Sequence, residues 1–417
     1  MTRPLPLLAY AAATGLLEPL APAILRGRAR RGKEMPERLG ERLGRTSVAR
    51  PAGDLVWLHG VSVGETTALL PLVAALRARR PDLTLLVTSG TVTAANLLAK
   101  RLPEGVIHQF APVDGPRAVG RFLDHWRPTL GVFVESELWP NLILEAQRRD
   151  VNLALVSARI TEASAQRWGR WPTAVQALLG AFDLILPQDE ATAARIGRLG
   201  GACGPRLNLK RVGDPLPCDD AELTRLRATI GARRVVVAAS THPGEEGLIA
   251  QAFEQAVTDP AEALLMVVPR HPERGAEIAT ALGASRRSAG ETPAGRIHVA
   301  DTLGELGLFF RLADVVVMGG GFVEGIGGHN PLEPARLGKP ILTGPHVFNA
   351  ADLYAELQAE AAAITAPDAP ALSRHIRGLL DHPHVGRRMG EAALDYAQRQ
   401  SAALDDALAQ LEPLLPA

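Results

Sequence analysis

Cysteine is nearly absent: Cys203 and Cys218 are the only two in a chain of 417 residues. That count supports no disulfide framework, and their wide separation is not the CxxC pairing of a zinc site, so both read as inert thiols in a reducing compartment. Aromatic side chains are scarce, at 4%, and an excess charge is missing, because 45 Lys and Arg balance 45 Asp and Glu. Without a net field the chain is not drawn as a whole to nucleic acid or to an anionic surface, and local patches must do any such work. No HExxH or HxxxH spacing, GxGxxG fingerprint or Walker loop occurs, which sets aside helix-borne zinc, dinucleotide and nucleoside-triphosphate readings. His59, His242, His271, His329 and His346 are dispersed, each in its own loop, so no metal is expected. Ser62 is not expected to act as a hydrolase nucleophile.

The chain does have ordinary globular composition, 47% hydrophobic and 22% charged, and enough length for two cores. Its N-terminus stands apart. Residues 4–25 carry one charge, Glu18, and are followed by Arg26, Arg28, Arg30, Arg31 and Lys33. Crossing hydrocarbon takes roughly 20 apolar residues, but Glu18, Pro19 and Pro22 make a poor lipid-exposed span. A secretory signal would place its positive charges before the apolar stretch. A membrane anchor or an interfacial helix, with the basic flank on the cytoplasmic side against anionic lipid, is preferred over an ordinary packed helix. Spanning and lying on the surface both stay open.

Beyond the basic flank, apolar β-type runs alternate with helical stretches at 54–60, 83–90, 129–137, 151–157 and 182–188. The rhythm pauses at the Pro- and Asp-rich 213–220, then resumes at 233–241, 263–272, 296–301, 313–321 and 339–345. Runs without polar alternation imply strands covered by helices on both faces. The expected architecture is α/β: a membrane-associating segment 1–33, then two doubly wound, Rossmann-like domains, 34–215 and 216–417. They would face across a cleft, with their functional loops at the strands' carboxyl ends.

Polar residues follow several of these runs. HGVSVGE sets His59, Ser62, Gly64 and Glu65 on a turn into a helix, whose start offers free N–H groups to an anion. Ser62 and Glu65 also fit a capping box, so spacing leaves Glu65 divided between cap and catalytic base. In VESELWPN, Glu135 and Glu137 end a buried strand, a costly place for charge without a ligand or cation. Arg159 and Lys210, at similar strand ends, are the obvious cations, although lysines are usually solvated. Arg270 and His271 in VVPRHPER suit a phosphate. Gly319, Gly320 and Gly321 let the main chain approach a ligand, and NPLEPARLG, with Asn330 and Glu333, begins the next helix. His346, Phe348 and Asn349 are placed to stack on or hydrogen-bond a base.

In this order, HGVSVGE, ESELWPN, LNLK, PRHPER, GGHNPLEPA and GPHVFN resemble the bacterial 3-deoxy-D-manno-octulosonic acid (Kdo) transferases, from the N-terminal segment to about Leu353. The resemblance implies a GT-B architecture and an inverting, metal-independent transfer of Kdo from CMP-Kdo to the lipid A precursor. That is a step of lipopolysaccharide core biosynthesis at the cytoplasmic side of the cell inner membrane, without nucleic acid or cofactor. It matches Glu65 to the general base, and Glu135 and Lys210 to transition-state support. Arg270, His271, Gly319 to Gly321, Asn330, Glu333, His346, Phe348 and Asn349 fall on the CMP side, while Ser62, Gly64, Glu137 and Arg159 fall on the acceptor side. Leu207 stands where the family commonly has glycine, Ser157 where asparagine is usual, and the 319–330 loop is one residue longer. A GT-B enzyme using a UDP-sugar shares the architecture and remains the alternative.

Overall fold

The computed structural model describes residues 3–416. Chain packing divides it into two units, Met1–Gly213 with Gln400–Ala417, and Asp214–Arg399.

The first unit holds a six-stranded parallel sheet of β1 (Leu55–His59), β2 (Thr84–Ser89), β3 (Ile107–Phe110), β4 (Leu130–Val134), β5 (Asn152–Ala158) and β6 (Leu184–Pro187), ordered β3-β2-β1-β4-β5-β6. Every residue of β1 and β4 is buried, because crossover helices such as Val63–Arg79 and Pro116–Trp126 cover both faces. The order reverses between β1 and β4, and at such a switch point the two flanking loops diverge and leave room for a ligand.

The second unit is a seven-stranded parallel sheet: β7 (Arg234–Thr241), β8 (Ala263–Pro269), β9 (Ser285–Arg286), β10 (Ile297–Val299), β11 (Val315–Met318), β12 (Ile341–Thr343) and β13 (Ala363–Thr365). Its order is β13-β12-β11-β7-β8-β10-β9, so its switch point lies between β7 and β11.

Two expectations need correction at the chain ends. The C-terminal segment does not stay with the second unit. Helix Pro383–Leu411 begins there, but Ala407, Leu408 and Leu411 are buried in the first unit's core beside Leu69 and Leu72. Asn152 Nδ2 also donates to Leu414 O at 3.0 Å.

The N-terminal segment is part of the first unit rather than a separate domain. Helix Leu5–Leu17 passes through a single 3₁₀ turn, Glu18–Leu20, into helix Ala21–Ala29, and together they are long and apolar enough to cross a membrane. One face, with Leu7, Glu18 and Leu25, is buried. Along it Arg3 pairs with Glu145 at 2.6 Å, Tyr10 donates to Asp114 at 2.9 Å, and Thr14 accepts from Asn141 Nδ2 at 2.9 Å. Glu18 accepts from Arg117 N at 2.9 Å, supplying the cap that helix Pro116–Trp126 lacks at Gly115. The charge that looked like a flaw in a span is a helix cap donated from another segment. The opposite face exposes Leu5, Leu8, Leu16 and Leu20.

Candidate active site

The first unit's site grows from the carboxyl ends of β1 and β4. After β1 the chain turns into helix Val63–Arg79 with Ser62 as N-cap and Glu65 at the third helical position. The capping box is formed: Ser62 Oγ accepts from Glu65 N at 3.3 Å, and Glu65 Oε2 accepts from Ser62 N at 3.2 Å and Val61 N at 2.6 Å. Ser62 Oγ donates to Glu65 Oε1 at 2.9 Å. A carboxylate has about four acceptor directions, so one remains open on Oε1. Gly64 is exposed in the same first turn.

Residues 60–64 also spell GxSxG between a strand and a helix, the signature of a nucleophile elbow. The structure does not support that chemistry. Ser62 has an unstrained φ of −92° and spends its hydroxyl on Glu65, while His59 Nδ1 is bonded to Thr88 Oγ1 at 2.9 Å. His59 is buried in the sheet rather than poised in a loop, and burial with the Arg42 charge holds its imidazole down to about 3.

At the end of β4, Glu135 is buried and has φ +59°, and its Oε1 lies 2.6 Å from Lys210 Nζ. Lys210 is therefore the cation for this strand end; Arg159 is exposed and forms no ion pair among the described residues. Glu137 accepts from the Trp139 indole. Burial, with the charges of Glu65 and Glu135 nearby, pushes Glu137 up to about 7. Glu137 thus lies within electrostatic reach of both other carboxylates and is placed to change protonation near neutral pH. Both family departures here have a local reason. Ser157, at φ +50°, occupies the left-handed region where asparagine is favoured, and its Oγ accepts from Leu209 N at 3.3 Å. Leu207 has no positive φ and is buried in the core, so nothing demands glycine.

Beside β1 lies a cavity of about 330 Å³, lined among others by Arg28, Arg42, His59, Thr91, Asp114 and Trp139. His59 Nε2 is buried there without a hydrogen-bond partner among the described residues. Arg28 and Arg42 both face Glu34, at 2.8 and 3.5 Å, so two guanidiniums share one carboxylate. Sequence reasoning assigned neither arginine to a site; the only signal was their place in the basic flank and just after it.

The second unit's site forms where β7, β8 and β11 end. Arg270 and His271 follow β8 and are exposed. Three histidines that are far apart in sequence converge here. His242 and His329 stack with ring centroids 5.0 Å apart and Nε2 atoms 2.8 Å apart, and His271 stands edge-on to His242 at 5.9 Å. One of the paired nitrogens must donate and the other accept. Burial, with His242, Arg270 and His271 close by, brings His329 down to about 4. Glu333 lies within reach of Arg270, and burial raises its carboxyl. Among the described residues, no three His, Cys, Asp or Glu side chains are arranged to hold a metal ion.

The glycine loop is held by a residue the sequence reading missed. Glu245 is fully buried and accepts from His242 N at 2.9 Å, Gly320 N at 2.7 Å and Phe322 N at 2.8 Å. Gly320, at φ +73°, turns the chain over this carboxylate. The far end of the loop meets the 346–349 stretch: Asn349 donates to Ile326 O at 2.7 Å, and His346 N donates to Gly321 O at 2.9 Å. A Cβ on Gly327 would sit 2.6 Å from Phe348, which is 63% exposed. Asn330 accepts from Leu332 N at 3.1 Å and starts a helix of only four residues, Leu332–Ala335. The expected helix start is therefore a single turn with little dipole, and Arg270 supplies the local positive charge instead, since burial favours the neutral form of His242 and His329.

Residues 37–210 match the family described as 3-Deoxy-D-manno-octulosonic-acid transferase (kdotransferase). The chain is 34% identical to the 3-deoxy-D-manno-octulosonic acid transferase of Bordetella pertussis over 90% of this chain and 91% of that protein. It is 32% identical to the Haemophilus influenzae enzyme of the same name over 91% and 92%. Among solved structures it resembles a glycosyltransferase from Rickettsia africae, with a TM-score of 0.58, 9% identity, and coverage of 87% of this chain and 99% of that one. That likeness shows the fold alone, two parallel-sheet α/β units of the GT-B type.

Proposed function

The chain belongs to the 3-deoxy-D-manno-octulosonic acid (Kdo) transferase family, and from that premise we propose that it moves Kdo from CMP-Kdo to the lipid A precursor, lipid IVA, with inversion. The observation that carries this reading is the carboxylate group at the β1 and β4 ends, beside a cavity that holds two arginines. A sugar hydroxyl attacks at neutral pH only if a base takes its proton as the bond forms. Glu65 does this through the open direction on Oε1, its cap bonds fixing the side chain in place. The hydroxyl oxygen bonds to the anomeric carbon, the bond from that carbon to the phosphate oxygen breaks, and CMP departs from the opposite face. Attack from behind converts a β-linked donor into an α-linked product.

Glu135 and Lys210, locked as an ion pair, support the charge that develops on the sugar. Arg270 and His271 take the CMP phosphate, and Phe348 with Asn349 takes the base. With that charge met by side chains, the reaction is proposed to need no metal, so turnover should survive chelation. Arg28 and Arg42 suit a phosphorylated acceptor. The experiment is incubation with CMP-Kdo and lipid IVA followed by mass spectrometry of the product. Absence of a Kdo adduct defeats the reading, and competition by UDP rather than CMP favours the UDP-sugar alternative.

The N-terminal helices are proposed to lie on the cytoplasmic side of the inner membrane, not to cross it. Support comes from their polar face, which is bonded to the folded unit through Arg3, Tyr10, Thr14 and Glu18. A face so occupied is not free to enter hydrocarbon, whereas the exposed leucines are. Deleting residues 1–25 would strip a helix cap from the first unit as well as the anchor. Replacing Leu5, Leu8 and Leu16 with serine is the cleaner test: the protein should leave vesicles in flotation yet keep its thermal midpoint.

A further inference from the structure

A second cavity of the first unit, about 500 Å³, runs between the N-terminal helix and three tryptophans. Its lining includes Leu7, Ala9 and Tyr10 on one side, and Trp139, Trp168 and Trp171 on the other. Its volume falls in the range of small-molecule sites, roughly 300 to 1,000 Å³. Two polar side chains on its lining are already used, Tyr10 donating to Asp114 and the Trp139 indole to Glu137, which leaves the indole N–H groups of Trp168 and Trp171 as the other polar side-chain atoms there. What remains is apolar wall, with Trp139 41% and Trp171 56% exposed. Large aromatic faces left open to water in this way fit a ligand that needs burial and offers no hydrogen bonds, which is an alkyl chain.

Continuity says whose chain it is. Trp139 lines both this groove and the arginine-bearing cavity beside β1. Its indole also holds Glu137, whose carboxyl feels Glu65 and Glu135. An amphiphile with its phosphorylated head at Arg28 and Arg42 therefore has an apolar channel starting at the same tryptophan. The exposed leucine face of the helix runs alongside and gives the channel access to lipid.

We propose that this groove seats one acyl chain of the lipid acceptor and so sets which acylation patterns the enzyme accepts. The inference rests on the lipid-acceptor reading above and deepens it. A chain drawn from bulk lipid could enter the same groove, but it would confer no preference among acceptors.

The test compares acceptors with native-length and four-carbon acyl chains, using the full chain and CMP-Kdo. Each methylene buried is worth about fourfold in affinity, so the wild type should favour the long-chain acceptor at least tenfold in kcat/KM. Ala9→Phe fills the groove from an exposed position, and Trp171→Ala removes an exposed wall. Both should erase most of that preference by raising KM for the long chain only, with kcat and vesicle flotation unchanged. A wild-type ratio near one, or a ratio that both variants leave intact, overturns the groove while the acceptor reading stands. If the wild type makes no product with either acceptor, the acceptor reading fails instead. The groove is then judged by tryptophan quenching with a chain-brominated fatty acid, which must occur in the wild type and be lost in Ala9→Phe; no quenching overturns it.

Discussion

The two units share a parallel-sheet architecture and a switch point, yet they furnish those points with opposite chemistry. At the β1 and β4 ends the first unit gathers Glu65, Glu135 and Glu137, and Glu137 is pushed up to about 7. At the β7, β8 and β11 ends the second unit gathers Arg270 and three histidines, with His329 pressed down to about 4. In the reading proposed above, the first site takes up a proton and the second holds an anion through Arg270, its buried histidines staying neutral. Each is organised by one glutamate, but at different range. Glu65 binds its own helix start, three residues away, whereas Glu245 reaches backbone N–H groups 75 and 77 residues along the chain.

If the first site is the basic one, Glu65→Gln should cost about 100- to 10,000-fold in turnover while the thermal midpoint holds, because glutamine also completes a capping box. Retention of more than a tenth of wild-type turnover would break the comparison on that side. On the other side, Glu245→Gln presents an amide where three N–H donors need an acceptor. It should destabilise the second unit by about 3 kcal/mol and weaken CMP binding, read by denaturant unfolding and calorimetry. Arg270→Ala should lose roughly 10- to 100-fold in CMP affinity, the worth of a hydrogen bond to a charged group, with Arg270→Lys in between.

The smallest effect sharpens the contrast through pH. Glu137 is raised from its ordinary 4.5 to about 7, so between those values the folded protein holds a proton that the unfolded chain has released. Its contribution to stability is full below 4.5 and falls as pH rises through 7. Glu137→Gln should therefore stabilise the protein by about 1 to 3 kcal/mol at pH 8 relative to pH 5, measured by urea unfolding at both values.

Legibility followed the same division between near and far. β1, β4, β7 and β8 were plain in the sequence because burial on both faces leaves an unbroken apolar run. β3, with His108 and Gln109 in four residues, and the two- and three-residue edge strands β9 and β13 carry no such signal. The Ser62–Glu65 box could be read from spacing, since capping is local. The convergence of His242, His271 and His329 could not, because it depends on which strands become neighbours. Glu245 went unread, because an acidic residue in a first helical turn is common and its partners lie far along the chain. Strain repeats the lesson. Among the described residues, six non-glycine residues have positive φ, and three of them, Glu135, Ser157 and Ser240, lie just past or just inside the carboxyl ends of β4, β5 and β7, where the candidate sites are built.

The closing helix has a consequence for how the molecule can be divided. Because both termini belong to the first unit, the second is an insertion within it, entered at Asp214 and left at Arg399. A fragment stopped at Gly213 would carry an uncovered patch where Ala407, Leu408 and Leu411 belong, and should aggregate until residues 400–416 are supplied as a separate peptide. The stretch 214–399 contains both of its own core clusters whole and is the piece to express alone to test the proposed nucleotide binding.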